Sequence, residues 1–130
     1  MGPWWIRIAA LYLIFGISVG IFMSSTLALN WASAHAHVNL AGWATTGLIG
    51  VIYSVFPNAG NNRLGKIHFW LHQIGLPLFL LSTFLVQVPN MLETAHLLTF
   101  TGAGLFGLGL ILFLINLFVN VREADAVTKN

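Results

Sequence analysis

The strongest constraint on this chain is a repeated one: four apolar stretches, each about as long as a bilayer is thick, separated by short polar breaks. Read from the sequence they run over about 6–29, 35–56, 67–88 and 92–121. A span of the hydrocarbon core takes roughly 20 apolar residues as helix. Only 6% of the residues are charged, against about 25% in a soluble domain, too few to cover a water-facing surface. The fold class expected is all-α integral membrane. One four-helix transmembrane domain fills residues 1–130, with a polar tail at 122–130.

The breaks set the topology. Asn30 to Ser33 is a short link, Pro57 to Asn62 reads as a turn-rich loop, and Pro89-Asn90 as a tight turn; Pro77 falls inside the third stretch and threatens a kink. Arg7, Arg63, Lys66, Arg122 and Lys129 all fall on one side of a four-helix hairpin, while Glu93 stands alone on the other. The positive-inside rule then places both termini in the cytoplasm, and a prokaryotic inner membrane is the expected location. Ala32-Ser33-Ala34 resembles a cleavage site, but the apolar stretch before it exceeds a signal core, so it reads as a retained helix. Gly16-x-x-x-Gly20, and Gly102, Gly104, Gly107 and Gly109, suit close helix contacts. The pI near 9.5 rests on five basic residues placed for topology and does not point to nucleic acid. With no cysteine, disulfides, thiolate metal sites and covalent Cys-x-x-Cys-His haem attachment are excluded.

The chemistry lies in the histidines. Ionisable groups in a membrane are costly and suggest function, and neutral imidazole is a common metal ligand. His35 and His37 open the second stretch, two residues apart, so on a helix they point about 200° apart. His96 lies one turn into the fourth stretch at the same, outer level. His68 and His72 share a face at the inner start of the third, where lipid phosphate and water can satisfy them. Below His37, positions Ala41, Ala44 and Thr45 are small, a face on which a flat macrocycle could lie. His35 heads Asn39, Gly42 and Trp43, and Asn39 could orient a ligand or water. The plain alternatives are interfacial hydrogen bonding and tight helix packing.

The stretch H-A-H-V-N-L-A-G-W, residues 35–43, followed by an apolar helix ending at Phe56-Pro57, resembles the His-x-His…Gly-Trp helix in the catalytic subunit of cbb-type haem-copper oxidases. Nitric oxide reductases are more distant relatives. The run I-H-F-W-L-H-Q-I-G, residues 67–75, and the glycine-rich last helix ending I-N-L-F-V-N-V-R are similar to the two helices that follow in that subunit. The resemblance implies that His35 matches the ligand of the reactive high-spin haem and His37 that of the low-spin haem. It covers only the last third of a twelve-helix subunit. The copper ligands, the active-site tyrosine and the second low-spin ligand lie on helices outside this stretch, and Tyr12 and Tyr53 do not stand in a matching context. One such chain is therefore not a complete oxidase. Because the subunit repeats a four-helix unit three times around an axis, the resemblance also implies a homo-oligomer, a trimer favoured.

The leading functional expectation is a haem-b-binding membrane protein for electron transfer or for binding oxygen or nitric oxide, with His37 and His35 as axial ligands and His96 and Asn39 as further candidates, and with a redox partner. The runner-up is a copper binder using His35, His37 and His96, although Met23 and Met91 are the only softer candidates besides Met1. A cofactor-free accessory membrane subunit is the third. No phosphate loop, catalytic triad or paired carboxylate is present.

Overall fold

The computed structural model describes residues 1–122; the expected polar tail, Lys129 included, lies outside the described residues except for Arg122. The described residues contain helices and no strand. They run as α1 (Gly2–Thr26), a 3₁₀ turn (Leu29–Trp31), α2 (Ala32–His37), a π-helical segment (Val38–Thr45), α3 (Thr46–Val55), α4 (Pro57–Asn61), α5 (Arg63–Leu85) and α6 (Leu92–Asn120). The second stretch forms one span, Leu29–Val55. With α1, α5 and α6 it makes four helices long and apolar enough to cross a membrane.

Local chemistry explains most of the boundaries. α1 starts at Gly2, earlier than the apolar pattern suggested, because Pro3 stands in its first turn, where a missing N–H costs nothing. Arg7 consequently sits within α1, over the Trp4 ring at 5.0 Å. The expected loop 57–62 is instead mostly the short helix α4, started by Pro57. Asn62 then caps α5, its side chain accepting from the Gly65 N–H at 2.8 Å. α5 continues through Pro77. Thr45 and Thr46 hydroxyls donate to the carbonyls of Leu40 and Ala41, five residues back, at 2.9 and 3.1 Å. These bonds occupy carbonyl lone pairs in the wider π turns.

The four spans pack as two pairs. α1 lies along the π segment and α3; α5 lies against α6. The α5–α6 seam is backbone on backbone: a Cβ on Gly102 would lie 2.9 Å from the Gly75 carbonyl oxygen, and a Cβ on Gly75 2.9 Å from that of Gly102. Gly109 also faces α5, near Leu71 and His68, whereas Gly104 and Gly107 meet nothing within 4 Å. The expected glycine contact face is therefore Gly102 and Gly109 alone. One apolar cluster gathers Trp5, Ile49, Tyr53 and Ala59; another gathers Val38, Leu76 and Leu80. At one end of the bundle the Met1 amino group donates to Asn61 Oδ1 at 3.3 Å, and Asn62 Nδ2 donates to Asn116 Oδ1 at 2.8 Å. Residue 1, the α4–α5 junction and the last turns of α6 therefore share that end. His35, His37 and His96 lie toward the other.

Candidate functional site

His35 and His37 both lie on α2, before the π segment begins, so their divergence follows α-helical spacing. His35 turns toward α1. Its Nδ1 is 3.0 Å from the Gly16 carbonyl oxygen, and a Cβ on Gly20 would stand 2.9 Å from its Cε1. Asn39 turns the same way: its amide would collide with a Cβ on Gly16, and its Nδ2 donates to the His35 carbonyl at 2.8 Å. The Gly16-x-x-x-Gly20 pair thus makes room for an imidazole and a carboxamide, as well as for a neighbouring helix. Asn39 braces the helix at His35.

His37 turns toward α5. Its ring meets Phe79 edge-on, with centroids 5.5 Å apart. It lines an open cleft of about 160 Å³ with Ser33, Phe79, Ser82, Gln87 and Thr99. Its Nδ1 is 2.7 Å from the Ser33 carbonyl oxygen. A carbonyl only accepts, so the short contacts put the proton of each imidazole on Nδ1, donating to Gly16 for His35 and to Ser33 for His37. In both rings Nε2 then carries the free lone pair, the form in which histidine binds a metal and in which a second hydrogen bond fixes ring and tautomer.

The face below His37 is the expected one only in part. The Val38 N–H still bonds back to Ala34 and His35, and the wider π turns follow it; Ala41 packs with the Val38, Leu76 and Leu80 cluster beside Phe79, the ring that His37 meets. Ala44 is exposed and Thr45 turns its hydroxyl to Leu40. On the His35 side Gly42 packs on Tyr12, where a Cβ would lie 2.8 Å from Cγ. Trp43 is exposed. His96 is exposed and is not among the residues lining the His37 cleft. Among the described residues no group of three or more His, Asp or Glu comes together as a metal site, so one chain does not assemble the three-histidine copper site.

The inner histidines also differ from expectation. His68 and His72 are fully buried, 0% exposed, away from lipid phosphate. His68 Nδ1 meets Tyr53 OH at 2.9 Å, and His72 Nε2 meets Thr46 Oγ1 at 2.9 Å. Asn116, not singled out from the sequence, holds this region together, its Nδ2 donating to Tyr53 OH at 3.1 Å and to the Ala59 carbonyl at 2.8 Å. The signal was available: an amide inside an otherwise apolar helix needs partners.

No family model matches the sequence, and no solved structure matches it. Two known proteins do. A haem-copper oxidase subunit I+III of Aeropyrum pernix is 30% identical over 142 residues, taking in 94% of this chain and 17% of that protein. A cytochrome c oxidase subunit 1 homologue of Bradyrhizobium diazoefficiens is 20% identical over 138 residues, 85% of this chain and 25% of that protein. The chain spans about a sixth of the one and a quarter of the other, and it is similar to them over most of its own length.

Proposed function

We propose that this is a haem-b-binding protein of a prokaryotic inner membrane, related to haem-copper oxidase subunit I and in particular to the cbb-type and nitric oxide reductase branch. Its role is electron transfer or the binding of oxygen or nitric oxide. The observation that carries the reading is the state of His37. Its Nδ1–H is fixed on a backbone carbonyl, its Nε2 lone pair is free, and it borders an open cleft between α2 and α5. His35 offers the same tautomer on the opposite side. Haem supplies an iron that takes up and gives back one electron or binds a diatomic gas at an open position. The chain's own part would be the imidazoles of His37 and His35 that hold the haem, oriented through the Ser33 and Gly16 carbonyls.

The donors suit a haem, but the single chain does not enclose one. The His37 cleft, about 160 Å³, is below the roughly 300–1,000 Å³ of ordinary small-molecule sites. A macrocycle on His37 would lie against the outside of the bundle and need a second surface over it. A second copy of the chain meets that need, and a closed ring of three would set His35 of one copy toward His37 of the next. In this reading both termini are cytoplasmic, the charged α4–α5 end faces inward, and a redox partner approaches the outer end. Copper bound by histidine is the second reading. The absorption spectrum of the purified protein separates them: a Soret band that shifts on reduction supports haem, and its absence after haem supplementation refutes it.

A further inference from the structure

Along one side of the bundle α1 and α5 run in the same direction and leave a trough between them. The Met1 amino group bonds Asn61, just before α5. Further along, Trp5 meets Phe69 at 5.3 Å and Phe15 meets Phe84 at 5.9 Å, centroid to centroid. Ile8, Leu11, Tyr12 and Phe15 line a hollow of about 310 Å³ on the α1 side. A second hollow, of about 210 Å³, shares Tyr12 and Phe15 and adds Pro77 and Phe84 from α5. The shared residues make the two one trough, apolar but for the Tyr12 hydroxyl. A helix, about 10–12 Å across, is too thick for it; a single acyl chain is not.

One end of the trough carries charge. Trp4, Ile8, Leu11 and Phe15 follow each other at spacings of a helical turn, so Trp4 begins the α1 wall. Arg7 folds its guanidinium over the exposed Trp4 ring, 5.0 Å from the ring centroid. On α5, Lys66 precedes Pro77 and Phe84 by about three and five whole turns, which sets it at the foot of the opposite wall. Both cations are exposed. Neither has an acidic partner among the described residues, whose one acid, Glu93, stands in the first turn of α6 at the other end. The 25 residues of α1 make about 37 Å of helix, roughly 7 Å more than the hydrocarbon core. Arg7, about 8 Å from the start of α1, is thus rooted just inside the hydrocarbon. Its side chain bends back over Trp4 to the level of the headgroups.

We propose that this trough seats one acyl chain of an anionic phospholipid from the leaflet at the charged end, with the lipid phosphate held by Arg7 and Lys66. The two halves of the site have different tasks. Lipid tails are as apolar as the trough, so the tail gains no hydrophobic energy by entering it; the walls fix where the lipid sits. The choice of headgroup comes from the cations, each giving about a fivefold preference for an anionic lipid near the surface, roughly 25-fold for the two. A free anion finds the same charges but no pocket, because both side chains are exposed. A larger hollow of about 430 Å³, beside Ser18, Phe22 and Trp31, lies at the other end. Among the described residues no lysine or arginine stands there, so it takes a lipid tail without regard to headgroup.

The test is native mass spectrometry of the full-length protein released from vesicles of equal phosphatidylglycerol and phosphatidylcholine, with circular dichroism of each variant to check the fold. The wild-type chain is expected to retain one phosphatidylglycerol in roughly 25-fold excess over phosphatidylcholine. Arg7→Gln and Lys66→Gln are each expected to cut that excess about fivefold, and Arg7→Lys to keep it. Leu11→Trp, at an exposed position on the trough wall, is expected to fill the trough and lose the retained lipid, whereas Ser18→Phe, in the hollow at the other end, leaves it in place. Equal retention of the two lipids, or an excess indifferent to both Arg7→Gln and Lys66→Gln, overturns the headgroup site. An excess undiminished by Leu11→Trp, or lost in Ser18→Phe, shows a diffuse charged surface and overturns the trough. Displacement of the lipid by inorganic phosphate shows a free-anion site and overturns the assignment to phospholipid.

Discussion

Two glycines on α6, two residues apart, should respond oppositely to the same added methyl group. Gly102 sits on the α5 seam: a Cβ there lies 2.9 Å from the Gly75 carbonyl oxygen and closer still to the Phe79 amide nitrogen. That is roughly half an ångström inside ordinary contact, and the atoms it meets are backbone, which cannot rotate away. The helices must part, an overpacking cost of about 1–3 kcal/mol. Gly104 has nothing within 4 Å of its Cβ position, so Gly104→Ala adds a methyl to open space. The intrinsic helix gain of Gly→Ala, about 1 kcal/mol, is common to both and cancels in the comparison. Gly102→Ala should therefore be less stable than Gly104→Ala by about 1–3 kcal/mol, with Gly104→Ala at or above wild type. Unfolding in mixed dodecylsulfate–maltoside micelles, followed by far-ultraviolet circular dichroism, measures both. Equal stabilities would refute the backbone seam, and with it the placement of α5 that brings Phe79 and Ser82 to His37.

Other perturbations test other parts of the molecule. Asn62→Ala removes the α5 cap and the bond to Asn116 and should cost about 0.5–2 kcal/mol in the same unfolding assay. Gly20→Val should push the His35 ring off its seat against α1, shifting the ¹⁵N resonance of His35 while leaving that of His37 in place; unchanged His35 resonances contradict the packing. His96→Ala should keep any low-spin haem spectrum, because His96 is not on the His37 cleft, whereas His35→Ala should lose it if a ring of chains supplies the second ligand. The reverse pattern supports a His37–His96 pair within one bundle, and native mass spectrometry of a haem-bearing monomer would exclude the ring.

The spans were legible in the sequence because length and apolarity alone decide them: Leu29–Val55 and Leu92–Asn120 have few alternatives to crossing a bilayer. The opposed faces of His35 and His37 were legible for a related reason, since both lie on α-helical backbone where spacing fixes direction. The π segment was not. Residues 38–45 have no composition that tells a π turn from an α turn, and within this segment Ala44 is exposed and Thr45 turns its hydroxyl to Leu40, while Ala41 stays beside Phe79. The burial of His68 and His72 was hidden for another reason. Their shared face could be read from spacing four residues apart, but whether it met lipid or protein depended on Tyr53, Thr46 and Gly109 from other spans. The glycines divided likewise: the motif marked positions where helices could approach, and only packing chose Gly102 and Gly109 over Gly104 and Gly107.

The most direct test of the central claim is the Soret absorbance per chain of the purified, haem-supplemented protein beside its His37→Ala variant, with circular dichroism showing both folded. The account predicts a Soret band in the wild-type protein, shifting on reduction, that is lost or reduced at least tenfold in His37→Ala. Full absorbance in the variant would contradict it.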